Sequence, residues 1–368
     1  MNRRKETKRM DYKQAISEIR GADAGAAARA RAYCDSLIKP PGSLGRLEEL
    51  AVRLAGVAGE IHCEFIKPAV VVMAADNGVY AEGVAAAPQS FTLSQAVNMT
   101  RGICGVSALS AAAGAEVVVV DIGIMNETGC AAIVDRNVRR GTDNMAKGPA
   151  MARGDAEAAI GNGFEVASGL FEKGVDILGT GEMGIGNTTS TSACAIALLG
   201  IAPESAVGRG AGLDDEALAR KVGVVKKALA VNAPDAGDPI DIVSKVGGLD
   251  IAGLVGCYLA AAYHRIPILV DGAISAVAAL VASRLCPPAK DFMIATHRST
   301  EPSYEAVSKE LGLRPFLEME MRLGEGSGCA LAFPIVNAAC AMMNGMGTFA
   351  DISFDESVLV DIRETEDV

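Results

Sequence analysis

Five short apolar, largely β-branched runs constrain this chain more than any other feature: KPAVVVMAADNG from Lys67, AEVVVVDIG from Ala115, GVDILGTGEMG from Gly174, IPILVDGAIS from Ile266 and DFMIATH from Asp291. Each ends on Gly, Asp, Asn or His, and Ala-rich stretches of helix length separate them. Strands that are apolar on both faces and alternate with helices predict a parallel sheet covered on both sides. The expected fold class is therefore α/β, a Rossmann-like parallel sheet with its helices. Ligands in such sheets bind beyond the C-terminal ends of the strands, where these polar residues fall.

Residues 11–38, rich in Ala and Arg, read as helical. KPPGSLGRLEELAVRLAG then gives a turn at Pro40, Pro41 and Gly42, a candidate N-cap at Ser43, and Leu47, Leu50, Ala51 and Leu54 on one helix face. The division expected is an N-terminal helical segment over 1–65, an α/β body over 66–335, and a C-terminal segment over 336–368 that packs with the first as a small helical domain. The acidic tail DESVLVDIRETEDV reads as surface.

With 368 residues, half of them hydrophobic, the chain can bury a large core. No uninterrupted apolar run reaches the ~18 residues of a membrane span. The first ten residues, MNRRKETKRM, are charged and unlike a secretion signal. Nine single cysteines without a CxxC pair read as reduced core residues of a cytoplasmic protein. His62, His264 and His297 have no ligand spacing, so no metal is expected. A net charge of −11 with 4% aromatics argues against a nucleic-acid partner. A small-molecule partner is expected instead.

Four segments could carry chemistry. In GTGEMGIGNTTSTSACAIALLG a strand end passes through Gly184 and Gly186 into Asn187, Thr188 and Thr189 at a helix start. That pattern fits a phosphate cradle, or an ordinary Gly-rich turn, without the spacing of a P-loop or of GxGxxG. A second glycine turn, Gly208 to Gly212, precedes a helix carrying Lys221, which is either a ligand or a solvated lysine. Asp76, Asn77 and Glu82, followed by Pro88, Gln89 and Gln95, read as an active-site loop or a connection. In MRLGEGSGCALAFPIV, Gly324 and Gly326 flank Glu325, which is either a general base on an adaptable hinge or an acidic helix cap.

KPPGSLGRLEELAVRLAG, ADNGVYAEGVAAAPQ, GEMGIGNTT, SKVGGLDIAGLVG, PILVDG and MRLGEGSGCALAFPIVNAACAM together resemble, in order from about Leu37 to Gly347, the nicotinate-nucleotide:dimethylbenzimidazole phosphoribosyltransferases of cobamide lower-ligand synthesis. The resemblance implies transfer of ribose 5-phosphate from nicotinate mononucleotide, a substrate and not a cofactor, to an aromatic acceptor, with inversion to an α-riboside phosphate. It implies that Glu325, in RLGEG with Gly324, is the base. Glu182 would lie near the donor ribose and Met183 would line the acceptor pocket, with Gly184 of the same segment also binding substrate. Gly186, Asn187, Thr188, Thr189 and Lys221 would hold the phosphate, and Gln95 the acceptor side.

The chain departs from the pattern at Asn77, where many members have His, and at Ala87, where benzimidazole-using relatives can carry Ser. A less polar pocket with flexible Met183 is expected to admit phenol or p-cresol as well as 5,6-dimethylbenzimidazole. The resemblance also implies a dimer, with itself or with a paralogue. Two rival readings are a catalytically weak partner subunit of such a hetero-oligomer and an NAD-dependent dehydrogenase. The second lacks GxGxxG opening a helix after the first strand.

Overall fold

The computed structural model describes residues 11–352, 354 and 359–364. The charged start MNRRKETKRM and most of the acidic tail lie outside the described residues.

Six strands form one parallel sheet: β1 (Pro68–Ala75), β2 (Glu116–Gly123), β3 (Val134–Asp135), β4 (Ile177–Met183), β5 (Ile268–Val270) and β6 (Met293–Ala295), in the order β3-β2-β1-β4-β5-β6. Five are the runs read from sequence. The two-residue β3 is an addition, too short to leave an apolar run. β1 is buried along its whole length, so it alternates between two cores: Ala69, Val71, Met73 and Ala75 face one, Val70, Val72 and Ala74 the other. A period of two on a strand buried on both faces produces this split.

The chain builds outward from β1 to β3, returns to β4 and builds outward the other way. The strand order therefore reverses between β1 and β4, the kind of place beside which such sheets bind ligands at their C-terminal strand ends.

The larger core is closed by helices that include Arg153–Glu172, Leu249–His264 and Ala273–Leu285; the other by Ala24–Asp35, Arg46–Ala58, Phe91–Thr100, Gly105–Ala112 and Ser327–Gly345. The N- and C-terminal segments do meet, Leu37 bridging Thr348, but the core they share also includes β1 residues. The helical reading of 11–38 divides into Tyr12–Glu18 and Ala24–Asp35, and Tyr12 and Ala15 belong to the larger core while Ala30 and Cys34 belong to the other. The boundary placed at 335/336 falls inside the helix Ser327–Gly345.

That helix is long and apolar enough for a membrane span, which interrupting small residues had argued against, but more than half of it is buried within the protein. Ser43 is not a helix cap. The helix starts at Arg46 after Gly45, and Glu48 folds back to accept the N–H groups of Gly42 and Leu44 and to pair with Lys39 at 2.8 Å. Eight of the nine cysteines are buried, Cys130 being the partly exposed one, and all nine are free thiols.

Candidate active site

A cavity of about 310 Å³ opens over the ends of β4, β5 and β6. Ala87, Gln95, Glu182, Met183, Gly184, Gly186, Asn187, Thr188, Gly324 and Glu325 all line it, so ten of the twelve residues read from sequence converge. Lys221 reaches its edge through Thr188, as described below. Thr189 does not reach it: fully buried on the far side of the helix Asn187–Leu199, its hydroxyl has no partner among the described residues.

Glu325 sits on a turn of three consecutive left-handed residues, with φ +80° at Gly324, +63° at Glu325 and +94° at Gly326. For the two glycines this costs little; for Glu325 it costs ~1–2 kcal/mol, strain of the kind stored at functional sites. Neither glycine has room for a side chain: a Cβ at Gly324 would lie 2.4 Å from Glu182 Oε1, and one at Gly326 2.5 Å from Val70 Cγ1. The expected adaptable hinge is therefore a fixed turn. Asp271, at the end of β5, clamps it by accepting the N–H groups of Gly326 (3.2 Å) and Gly328 (2.8 Å).

The Glu325 carboxylate does not cap its own helix, whose N-cap is Gly326. It reaches across to another chain segment. Gln95 Nε2 donates to Oε1 at 2.6 Å, and Val106 N, in the first turn of the helix Gly105–Ala112, donates to Oε2 at 3.0 Å. An anion at a helix N-terminus is favourably placed. Only 5% of Glu325 is exposed, and it faces donors.

Glu182, at the end of β4, is as deeply buried, at 6% exposed, among different neighbours. Burial first, and then the charge of Asp250, push its carboxyl up to about 8, against hydrogen bonds from Asn187 and the Glu325 backbone N–H. Asn187 Nδ2 bridges the two acids, donating to Glu182 Oε2 and, at 3.0 Å, to Asp250 Oδ2. Asp250, fully buried in the first turn of Leu249–His264, is itself pushed up to about 6 by burial. Asn77 lies behind this pair, accepting from Ser190 Oγ at 3.0 Å, outside the cavity wall. At neutral pH Glu182 keeps its proton.

At the opposite end of the cavity, Gly186 (φ +93°) caps the helix Asn187–Leu199. Lys221 is fully buried, and its Nζ donates to Thr188 Oγ1 (2.7 Å) and to the Gly208 carbonyl (2.9 Å). Burial pushes its ammonium down to about 8, opposed by the charge of Glu301. The solvated-lysine reading is thus excluded. Two glycine turns, a hydroxyl and a buried cation meet there as an anion site.

The sequence reading did not single out Asp271, His297, Asp250, Arg209 or Glu301. Asp271 and His297 end two of the runs first identified, so the rule that ligands gather at strand ends contained them. His297 is 2% exposed, with Nδ1 3.2 Å from Thr296 Oγ1 and 3.8 Å from Asp271 Oδ1. Arg209, which lines the cavity, sits inside the glycine turn Gly208 to Gly212 and was passed over, while Asp250 and Glu301 were not picked out by type or spacing.

A family model described as phosphoribosyltransferase matches residues 19–353. Nicotinate-nucleotide–dimethylbenzimidazole phosphoribosyltransferases from Acetivibrio thermocellus (52% identical, covering 88% of this chain and 92% of the relative) and Alkaliphilus metalliredigens (49% identical, 95% and 99%) are similar over nearly their full lengths. The crystal structure of CobT from Thermus thermophilus superposes with a TM-score of 0.86 at 40% identity, over 89% of this chain and 99% of that one.

Proposed function

This chain belongs to the nicotinate-nucleotide–dimethylbenzimidazole phosphoribosyltransferase family, and from that premise we propose that it transfers ribose 5-phosphate from nicotinate mononucleotide to a lower-ligand base for cobamide synthesis. The observation that carries the reading is the pair of cavity ends: a carboxylate, Glu325, held by neutral donors at one, and a buried cation, Lys221, with glycine turns at the other. A donor with its phosphate at Lys221 spans toward Glu325.

In this reaction the glycosidic C–N bond breaks, and its electron pair neutralises the pyridinium nitrogen, so nicotinate leaves without a proton donor. The acceptor attacks the opposite face of the anomeric carbon, giving an α-riboside 5'-phosphate. Glu325 takes the acceptor's N–H or O–H proton as the new bond forms, and Gln95 and the Val106 N–H hold the carboxylate in position. Glu182, protonated, presents a neutral donor beneath the ribose.

The acceptor is 5,6-dimethylbenzimidazole or a phenol such as p-cresol. Ala87, Met183, Phe91 and Leu323 make that end of the cavity apolar, which supports a phenolic acceptor whose hydroxyl is its one polar atom. The same reading makes the chain a cytoplasmic dimer subunit, paired with itself or a paralogue; exposed Phe91 and Leu323 on the cavity wall and exposed Ile103 support a covered surface there.

The test is a competition assay with nicotinate mononucleotide and equimolar dimethylbenzimidazole, adenine, phenol and p-cresol, run beside Glu325→Gln. We expect riboside phosphate products that fall ~10²–10⁴-fold in the variant. Rapid benzimidazole turnover with poor phenol turnover removes the phenolic assignment. No product from any acceptor removes the transferase reading in favour of a partner subunit.

A further inference from the structure

We propose that the Glu301 carboxylate is a built-in stand-in for the donor phosphate: it fills the anion cradle in the free protein, and the phosphate binds by displacing it. The inference rests on the transferase reading for the identity of the donor, and on geometry for the rest.

Glu301 Oε1 accepts the Gly210 N–H at 2.9 Å. Its other oxygen lies over Gly208, where a Cβ would meet it at 2.2 Å, and the Gly208 carbonyl receives Lys221 Nζ. A Cβ at Gly210 would lie 3.0 Å from Thr188 Oγ1 and 3.5 Å from Lys221 Nζ. One carboxylate thus reaches into the same glycine loop that gathers a buried ammonium, a hydroxyl and a backbone amide, and it lines the cavity.

A phosphate in this loop needs the Gly210 N–H that Glu301 holds, and one N–H cannot serve two anions that also repel each other. Among the described residues Glu301 is the acid whose charge acts on Lys221, so in the empty site it supplies the counter-charge a buried ammonium requires. The side chain is half-buried and belongs to the segment between β6 and the helix Ser303–Leu311, which leaves it a route to water. The free energy of moving it is subtracted from the affinity of every anion that enters. A doubly charged phosphate regains it at Lys221, whereas a singly charged carboxylate only exchanges like for like.

The test titrates inorganic phosphate, nicotinate mononucleotide and its 5'-dephosphorylated riboside into the wild-type protein, Glu301→Ala and Glu301→Gln. We expect phosphate and the mononucleotide to bind about tenfold more tightly to the alanine variant, the scale of a charge-assisted hydrogen bond that no longer has to be broken. The gain is smaller in the glutamine variant, which keeps an acceptor for Gly210 but no charge. Riboside binding is unchanged in both. Weaker or unaltered phosphate binding in both variants overturns the proposal and leaves Glu301 as a support for Lys221. A wild-type protein that makes no riboside phosphate, yet whose alanine variant gains phosphate affinity, loses the transferase reading while the stand-in role survives.

Discussion

Glu182 and Glu325 are the same residue type, buried to the same degree on the same cavity, and they meet different neighbours. Glu182 shares its surroundings with Asp250 and Asp271, and keeps its proton up to about pH 8. Glu325 accepts from the Gln95 amide and the Val106 N–H, with no second acid hydrogen-bonded to it among the described residues. The two are packed together as well, since Gly324 leaves no space between Glu182 and the turn that carries Glu325.

The contrast is broken most directly by making the same substitution twice. Glu325→Gln removes the proposed base and is expected to lower kcat by ~10²–10⁴-fold. Glu182→Gln replaces a protonated carboxyl by an amide of the same shape, and is expected to cost less than about tenfold at pH 7, since only one hydrogen-bonding geometry changes. Equal losses, read from steady-state kcat values, would mean that the donor's positive charge draws the proton off Glu182 on binding.

Next in size is the far end of the cavity. Lys221 has its ammonium pushed down from 10.5 to about 8, so it is charged below that pH and neutral above it. The donor KM is expected to be flat at neutral pH and to rise as pH passes through about 8, by up to roughly tenfold per pH unit. Lys221→Met should raise the KM at pH 7 and abolish that rise. A KM that climbs with pH in the variant too would place the titrating group elsewhere.

The smallest effect concerns Asp250. Because its charge is the second cause, after burial, holding the proton on Glu182, Asp250→Asn moves the titration of Glu182 to lower pH, by less than the full distance from about 8 to 4.5. The folded protein then binds this extra proton over a narrower window. Stability, which falls as pH rises through the range between the unfolded and folded values, should decline over that narrower window in the variant, as read from melting temperature against pH.

Much of the site was legible because the chemistry sat in local strings. RLGEG, GEMGIGNTT and the strand ends each announce backbone freedom, a helix start or a polar residue at the edge of an apolar run. Ten of the twelve chosen residues meet in one cavity for that reason. Thr189 failed because the pattern names a helix start without its rotation, and one position along the helix turns a hydroxyl from cavity to core. Ser43 failed because the helix begins two residues later than the pattern placed it, with Gly45 in a positive-φ conformation at the cap position.

The sequence by itself determined the α/β layering and the parallel sheet, both properties of period and backbone sterics within a few residues. Only the tertiary structure decided what the acids do. Gln95 lies 230 residues from Glu325, and Asp250 lies 63 from Asn187, which joins it to Glu182. Protonation depends on burial and on the charges within a few ångströms, and in this protein both are supplied by segments that meet only when the sheet reverses its strand order between β1 and β4.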